Sequence, residues 1–150
     1  MNDVEQLEKV MLDLDQVETP LTHRFAPGVY LREIFMPKSS IVIGHEHKTK
    51  HFNIVISGAA YVSFGDGIVS IEAGDTFTSE AGVRKALYIT EDMVWQTIHP
   101  IDTDASEWTP EQQLALVGTL EGELISKSNT FLEHEEEFQL RVSELLEVAK

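Results

Sequence analysis

Short runs of β-branched, aliphatic and aromatic residues fill the sequence between residues 29 and 99, and glycine, proline or acidic residues separate them. None of the intervening stretches has the apolar period of about 3.6 residues that is typical of a helix. The runs are Val29–Met36, Ser40–Ile43, Phe52–Ser57, Tyr61–Phe64, Ile68–Ile71, Thr76–Thr78, Ala86–Thr90 and Val94–His99. About eight strands at this spacing predict a mainly β domain, either a sandwich or a barrel.

Two of these runs allow more local predictions. The segment Phe64-Gly65-Asp66-Gly67-Ile68 predicts a hairpin turn, because an Asp-Gly pair tolerates the positive φ angles that such turns need. From Phe52 to Ile56 both faces of the strand are largely apolar, which predicts a central strand that is covered on both sides.

The two ends of the chain differ from this middle part in charge and in periodicity. The net charge is −15, and the ends carry almost all of it, since residues 23–101 hold eight acidic and seven basic side chains. Apolar residues at helical spacing predict a short helix over residues 3–16. We therefore divide the chain into an N-terminal helical flank (1–22), a β-barrel segment (23–101) and a C-terminal acidic helical extension (102–150).

Two helices are predicted in the C-terminal extension. Thr109-Pro110-Glu111-Gln112 combines a capping threonine, a proline suited to the first helical position and a glutamine that completes a capping box. This short helix is expected to be interrupted at Gly118 or Gly122. A longer acidic helix is predicted from about Thr130, and its apolar face needs cover from the barrel or from a second subunit. That face consists of Phe131, Phe138, Val142 and Leu145. We expect a homo-oligomer, with a dimer favoured.

Composition excludes several classes of function. The acidic balance argues against nucleic acid, whose phosphates would repel the chain. No apolar run approaches the roughly 20 residues that cross a bilayer, and the acidic, periodic N-terminus is not a secretory signal. The absence of cysteine excludes disulfides and thiolate metal sites. We therefore expect a cytoplasmic protein with no nucleic-acid partner and no membrane partner.

Three of the six histidines lie close together, just before the run that starts at Phe52. His45 and His47 would share a face if they lie on one strand. Lys48-Thr49-Lys50 then resembles a turn that brings His51 beside them. Three neutral imidazoles that converge form a site for zinc, iron, copper, nickel or manganese. The alternative is a histidine cluster at the surface of a strand end, where it forms a proton-sensitive patch.

The surroundings of these histidines resemble the first signature motif of the cupin superfamily. Gly44, His45-x-His47, three residues, His51, six residues and Gly58 follow that motif, with His51 in place of its glutamate. A degraded form of the second motif runs from Gly74 to Lys85, where Lys85 stands in place of a histidine. The resemblance covers residues 24–100. The segments Phe25–Glu33 and Val94–Pro100 give a narrower resemblance, to small cupin-like proteins encoded by bacteriophages.

The resemblance implies a cupin-like fold, a double-stranded β-helix or jelly-roll barrel, flanked here by a short N-terminal helix and C-terminal acidic helices. It also implies that His45, His47 and His51 are ligands of one divalent transition metal, such as zinc, iron, nickel or manganese. Lys85 is a poor ligand, because its amino group is a cation at neutral pH. The fourth ligand that the family would supply is therefore missing.

His99 is a candidate for the missing ligand. If Ala86–Thr90 and Val94–His99 form a hairpin around Glu91-Asp92-Met93, Lys85 lies opposite His99, and directly opposed residues share a face. A slip of one residue in this register would reverse the face of His99. The alternative is an ordinary histidine at a strand end.

Two functions from different classes remain open. One is a non-catalytic structural or interaction protein of phage or mobile-element origin, found in the host cytoplasm or the virion, which the helical flanks favour slightly. The alternative is a metal-dependent enzyme, an oxygenase, isomerase or lyase, that acts on a small molecule in the barrel. A third reading is ligand sensing. A pocket lined by charged groups would favour the enzyme, and Arg24, Arg32 and Arg84 are the only arginines of the middle part.

Overall fold

The computed structural model describes residues 9, 16–44, 47–63, 68–83, 85–120 and 128–131, the last four by their backbone alone. Within these residues eight strands form one antiparallel sheet, and one helix follows the seventh strand. The strands are β1 (Leu21–Ala26), β2 (Val29–Met36), β3 (Ser40–Ile43), β4 (His51–Ser63), β5 (Ile68–Glu72), β6 (Thr76–Ser79), β7 (Ala86–Pro100) and β8 (Ser128–Phe131), and the helix is α1 (Pro110–Leu120). The prediction of a mainly β domain is confirmed.

Strand β7 lies at the centre of the sheet. Its first part pairs with β3 on one side and with the second part of β4 on the other. Its second part pairs with β2 and with the first part of β4. Strands β5 and β6 pair with the second and the first part of β4 respectively, and β1 pairs with β2. Strand β7 therefore connects the strands that pair with its first part to those that pair with its second part.

The predicted hairpin between residues 86 and 99 is wrong. Residues Glu91-Asp92-Met93 lie inside β7, and the partners of this strand are β2, β3 and β4 rather than its own second half. The predicted break at Gly58 is also absent, because β4 runs through it. Lys85 is consequently not opposite His99, which pairs with Tyr30 of β2.

A β-bulge explains why both long strands resemble two separate runs in the sequence. The register between β4 and β7 shifts around Gly58, which has a positive φ of 86°. A Cβ atom at this position would collide with the backbone oxygen of Asp92 in β7. Only glycine accepts both the dihedral angle and this close approach without strain. Gly58 therefore allows β4 and β7 to stay paired through a local irregularity. In the sequence alone, the residues of this irregularity resemble a turn.

The sheet encloses one apolar core. Its members come from five different strands, which is the arrangement expected when a sheet curls around its own inner face. They are Ile34, Met36, Val42, Val55, Ala60, Val62, Ile71, Leu87, Ile89, Met93 and Trp95. The outer face of β4 differs from the prediction, because Phe52 and Ile56 are 61% and 49% exposed in this chain. That strand is covered on its inner side only.

Several predictions for turns and helix ends can be compared with the structure. Strands β4 and β5 pair antiparallel, with Ser63 opposite Ile68, so the hairpin is confirmed, although its turn lies outside the described residues. The capping box is confirmed: Gln112 N donates to Thr109 Oγ1 over 3.2 Å, and Thr109 N donates to Gln112 Oε1 over 3.0 Å. Gly118 lies inside α1 and does not interrupt it.

The flanks are only partly described. The N-terminal helix, except for the helical Lys9, and residues 121–127 and 132–150 lie outside the described residues. The long helix was expected from about Thr130, but residues 128–131 form β8, which pairs with β3. The end of α1 contacts the loop before β4, because Lys48 N donates to Leu120 O over 3.0 Å. Parts of the C-terminal extension are therefore hydrogen-bonded to the barrel segment.

Candidate functional site

Three imidazole rings converge inside the sheet. The ring centroids of His47 and His51 are 4.6 Å apart, those of His47 and His99 are 4.9 Å apart, and those of His51 and His99 are 4.5 Å apart. All three side chains are buried, and His99 is fully inaccessible. We call these three residues the histidine cluster. His45, the other predicted ligand, lies outside the described residues.

The strands place the cluster by simple alternation. His51 is the first residue of β4, and it shares the inner face of the strand with Asn53 and Val55. His99 is the last buried residue of β7 and follows Thr97 on the same face. His47 belongs to the loop before β4, and its carbonyl oxygen accepts a hydrogen bond from Gly82 N over 2.9 Å. The cluster thus joins one loop and the ends of two neighbouring strands.

Thr49 connects two of the three rings. His51 Nδ1 lies 2.8 Å from the carbonyl oxygen of Thr49, which can only accept, so this nitrogen carries the proton. In the neutral ring Nε2 then holds the lone pair that a metal would need. The hydroxyl of the same threonine lies 2.9 Å from His99 Nδ1, and the hydroxyl of Thr97 lies 2.8 Å from His99 Nε2. Both nitrogens of His99 are therefore engaged by threonine hydroxyls.

Aromatic rings extend the cluster toward β1. Tyr30, opposite His99 in the register of β2 and β7, stacks on it with ring centroids 5.4 Å apart. The hydroxyl of Tyr30 lies 2.7 Å from His23 Nδ1. Phe25 also stacks on Tyr30, with ring centroids 5.1 Å apart. His23 had no role in the sequence analysis, yet it is bonded to the ring that covers His99.

A cavity of about 50 Å³ lies beside His47. Its walls combine apolar side chains of the core with polar and charged ones. Arg32 and Lys85 both line it, and both are buried, with 6% and 7% of their surface exposed. Of the described residues that line this cavity, none is aspartate or glutamate. The two charged side chains among these described lining residues are therefore both basic, in a chain with 26 acidic and 11 basic side chains.

A chain of hydrogen bonds fixes the polar wall between the cavity and the core. Trp95 Nε1 donates to Asn53 Oδ1 over 3.1 Å, and Asn53 Nδ2 donates to Ser79 Oγ over 2.8 Å. Because the indole N–H can only donate, the oxygen of the Asn53 amide must face Trp95, and this determines the orientation of the amide. Trp95 consequently presents a fixed ring to the cavity.

The structure thus places His47, His51 and His99 together. His99 reaches this position because β7 pairs with β2 and β4, and not through the hairpin that was expected. Among the described residues, which do not include His45 and Glu46, no group of three or more His, Cys, Asp or Glu has the arrangement that holds a metal ion. The hydrogen bonds of His99 agree with this result, because a ring whose two nitrogens bond to hydroxyls cannot ligate without losing one of them.

The inward position of Arg32 was not predicted, although the alternation of β2 indicates it. In β2 the inner positions are Tyr30, Arg32, Ile34 and Met36. Arg32 is the single charged residue among these inner positions, and a charged residue is uncommon at a core position of an alternating strand. No comparable signal identifies Thr49 or Thr97, since threonine is common in strands and turns alike.

Comparison with known proteins adds information on the fold. A cupin-2 domain protein from Shewanella frigidimarina aligns with a TM-score of 0.45 and 17% identity, over 64% of this chain and 92% of that chain. A cupin domain from Bordetella pertussis aligns with a TM-score of 0.46 and 16% identity, over 59% and 98%. Ectoine synthase from P. lautus aligns with a TM-score of 0.46 and 13% identity, over 62% and 75%.

No protein-family model matches the chain, and no curated protein matches it. The helices in the described part of the chain include none that is long and apolar enough to cross a membrane. At these identities the likeness to the solved structures concerns the fold alone. The chain is similar in fold to the cupin-domain proteins.

Proposed function

We propose that this chain is a metal-binding cupin-like barrel that acts on a small molecule held in the cavity beside the histidine cluster. The observation that supports this most is the convergence of three buried imidazoles at centroid distances of 4.5–4.9 Å. Histidine is the commonest metal ligand among the side chains, so three imidazoles at one point are typical of a metal site.

The donor set fits a divalent transition metal in part. His51 satisfies the usual pattern of a ligating histidine, whose second nitrogen donates to a backbone carbonyl. His47 lies beside it and also lines the cavity. His45 would complete a set of three nitrogens. A bound metal would supply Lewis acidity or an activated water. His99 joins the set only if it gives up Thr49 or Thr97.

The cavity favours a small-molecule function over a purely structural one. A pocket lined by charged groups was the feature expected of the enzyme, and Arg32 and Lys85 provide it. In the described residues this cavity adjoins the cluster through His47, so a ligand there would lie next to the metal site. Oxygenase, isomerase and lyase chemistry all remain open.

Metal analysis of the full chain, purified without an affinity tag, tests this proposal. We expect close to one equivalent of zinc, iron, nickel or manganese by elemental analysis, because four or fewer imidazoles at one point suit these metals rather than magnesium or calcium. His47→Ala and His51→Ala should each remove most of the metal. His134→Ala, in the C-terminal extension, is the matched control and should retain it.

The role of His99 is tested in the same assay. If His99 ligates, His99→Ala lowers the metal affinity, whereas His134→Ala does not. Equal affinities for these two variants would limit the site to three histidines. Wild-type protein that stays metal-free after incubation with each of the four metals would contradict the proposal as a whole.

A second candidate is an interaction protein of phage or mobile-element origin that acts as a homodimer. The observation in its favour is the exposure of Phe52 and Ile56 on the outer face of β4. Light scattering at micromolar concentration should then give at least twice the chain mass of 16.9 kDa. Phe52→Ser with Ile56→Ser should return the mass to that of one chain, whereas Lys38→Ser should not.

A further inference from the structure

The ring of His99 is bonded at both of its nitrogens and stacks against two other rings. Thr49 Oγ1 lies 2.9 Å from its Nδ1, and Thr97 Oγ1 lies 2.8 Å from its Nε2. The rings of Tyr30 and His51 stack on it at centroid distances of 5.4 and 4.5 Å, with interplanar angles of 23° and 29°. Strands β2 and β4, which carry these two rings, pair with opposite edges of β7. His99 is therefore fixed between two neighbours, with none of its surface exposed.

The hydrogen bonds of His99 decide whether this ring can ligate a metal. A neutral imidazole has one N–H and one lone pair, and an imidazolium has two N–H groups and no lone pair. If His99 is neutral, one threonine hydroxyl accepts from its N–H and the other donates to its lone pair. If His99 is charged, both hydroxyls accept. Neither state leaves a nitrogen lone pair for a metal, so the arrangement suits a supporting role.

Thr49 connects His99 to a histidine that can ligate. The carbonyl oxygen of Thr49 accepts a hydrogen bond from His51 Nδ1 over 2.8 Å, while the hydroxyl of the same residue bonds to His99. Its neighbours Lys48 and Lys50 are exposed, whereas Thr49 is half-buried and directs both of these polar groups to the cluster. One residue thus acts on two of the three rings.

We propose that Thr49 and His99 are positioning residues, which together fix His51 as the tautomer with the proton on Nδ1 and the lone pair on Nε2, and that His99 is not a metal ligand. The carbonyl of Thr49 selects the tautomer, and the ring of His99 limits the rotation of His51 by stacking on it. Loss of a group that orients a ligating histidine typically lowers metal affinity about 10–100-fold. The proposed ligands are then His47, His51 and the His45 that lies outside the described residues.

This inference rests on the proposed function in taking His51 as a ligand, but the two can fail separately. The tautomer of His51 and its dependence on His99 are properties of the metal-free chain. Metal binding without this dependence would contradict the inference alone. The dependence without metal binding would contradict the proposed function alone.

The first measurement uses the full, metal-free chain with isotope-labelled histidine. Long-range proton–nitrogen NMR spectra at about pH 8, where ordinary imidazoles are neutral, show which nitrogen of each ring carries the proton. His51→Gln assigns the signals of His51. We expect His51 as the Nδ1–H tautomer alone in the wild type, and as a mixture of both tautomers in His99→Ala. Thr78→Val, on the exposed side of β6, is the control and should resemble the wild type.

The second measurement is the affinity of the full chain for cobalt(II), a probe whose visible absorption reports the number and geometry of its ligands. The two roles of His99 predict opposite signs for Thr49→Val. If His99 is a ligand, this substitution removes a hydroxyl that engages its nitrogen, and binding strengthens. If His99 positions His51, the substitution loosens its ring, and we expect binding to weaken about tenfold. Thr78→Val should again have no effect.

A combined variant separates ligation from stacking. Thr49→Val, Thr97→Val and His99→Phe together keep an aromatic ring in the stack, and they remove the hydroxyls that would otherwise lose their partner, which limits the loss of stability. We expect this variant to bind cobalt(II) with the visible spectrum of the wild type, because the ligands are unchanged. It should also bind more tightly than His99→Ala, because the stacked ring is kept. Circular dichroism identifies any variant that does not fold.

If the combined variant does not fold, the sign of the Thr49→Val effect decides between the two roles. Weaker cobalt(II) binding by Thr49→Val, an unchanged spectrum in the combined variant, and mixed tautomers of His51 in His99→Ala support the proposal. Tighter or equal binding by Thr49→Val, a changed or absent spectrum in the folded combined variant, an unchanged tautomer in folded His99→Ala, or a proton on Nε2 of His51 in the metal-free wild type would overturn it.

Discussion

The inner face of the sheet has a polar end and an apolar end, and the same strands build both. The polar end comprises Tyr30, Arg32, His51, Asn53, Thr97 and His99, and the apolar end comprises Ile34, Met36, Val55, Val62, Ile89 and Met93. Along β2 and β7 the paired residues change from Tyr30 and His99 to Met36 and Met93 within a few positions. Trp95 stands between the ends, with an apolar ring and an N–H bonded to Asn53.

The two ends of the inner face contribute to the core in two different ways. The apolar end excludes water from aliphatic side chains, which is the main source of folding free energy. The polar end buries groups that each need a hydrogen-bond partner, and this costs stability unless the partners are in place. The contrast predicts that substitutions at the apolar end act mainly on stability, and that those at the polar end cost less stability and also act on binding.

The largest expected effect on stability is at the apolar end. Ile89 is fully buried, and Ile89→Ala should lower the free energy of unfolding by about 2–5 kcal/mol, because it leaves a cavity in the core. Urea denaturation measures the loss, and the exposed Val69→Ala serves as the control. Metal binding by the folded fraction should not change. A loss as small as that of Val69→Ala would show that the two ends do not differ in this way.

A smaller effect is expected at the polar end. Thr97→Val keeps the shape of the side chain and removes the hydroxyl that bonds to His99 Nε2. The free energy of unfolding should fall by about 1 kcal/mol, as for one buried hydrogen bond. Thr78→Val on the exposed side of β6 is the matched control. If both variants unfold at the same urea concentration, the hydrogen bond does not stabilise the polar end.

The smallest effect is expected outside both ends, in the loop after β7. The side-chain hydroxyl of Ser106, and then its backbone N–H, hydrogen-bond to Asp104 and hold the pKa of that carboxyl below its ordinary value. A lowered pKa in the folded state stabilises the protein above the ordinary pKa, and this contribution is lost as the pH falls through the lowered value. Ser106→Ala should raise the pKa of Asp104, as followed by NMR titration of the carboxyl carbon. An unchanged pKa would assign the shift to the backbone alone.

The sequence predicted those elements whose signals are local. The capping box at Thr109 and the hairpin around Asp66-Gly67 depend on a few adjacent residues, and both are confirmed. The histidines also indicated the region of the site, because His47 and His51 are close in sequence as well as in space.

The remaining features depend on partners that are distant in sequence. Glu91-Asp92-Met93 resembles a turn, and only the pairing of β4 with β7 shows that it lies opposite a glycine bulge. His99 reaches the cluster through that pairing and not through the predicted register. β8 was missed because its pairing with β3 joins residues nearly 90 positions apart, and the local pattern there favoured a helix.

The central position of β7 has a consequence for the order of folding. This strand ends at Pro100, and β2, β3 and β4 all precede it in the chain, so most of their pairing is completed only when β7 is added. Contacts that are distant in sequence require long loops to close first, and proteins dominated by such contacts fold on the scale of milliseconds to seconds. During synthesis, the earlier strands would therefore remain without their central partner until residue 100 has emerged. The nascent chain is most exposed to aggregation before that point, because the inner faces of these strands are then uncovered.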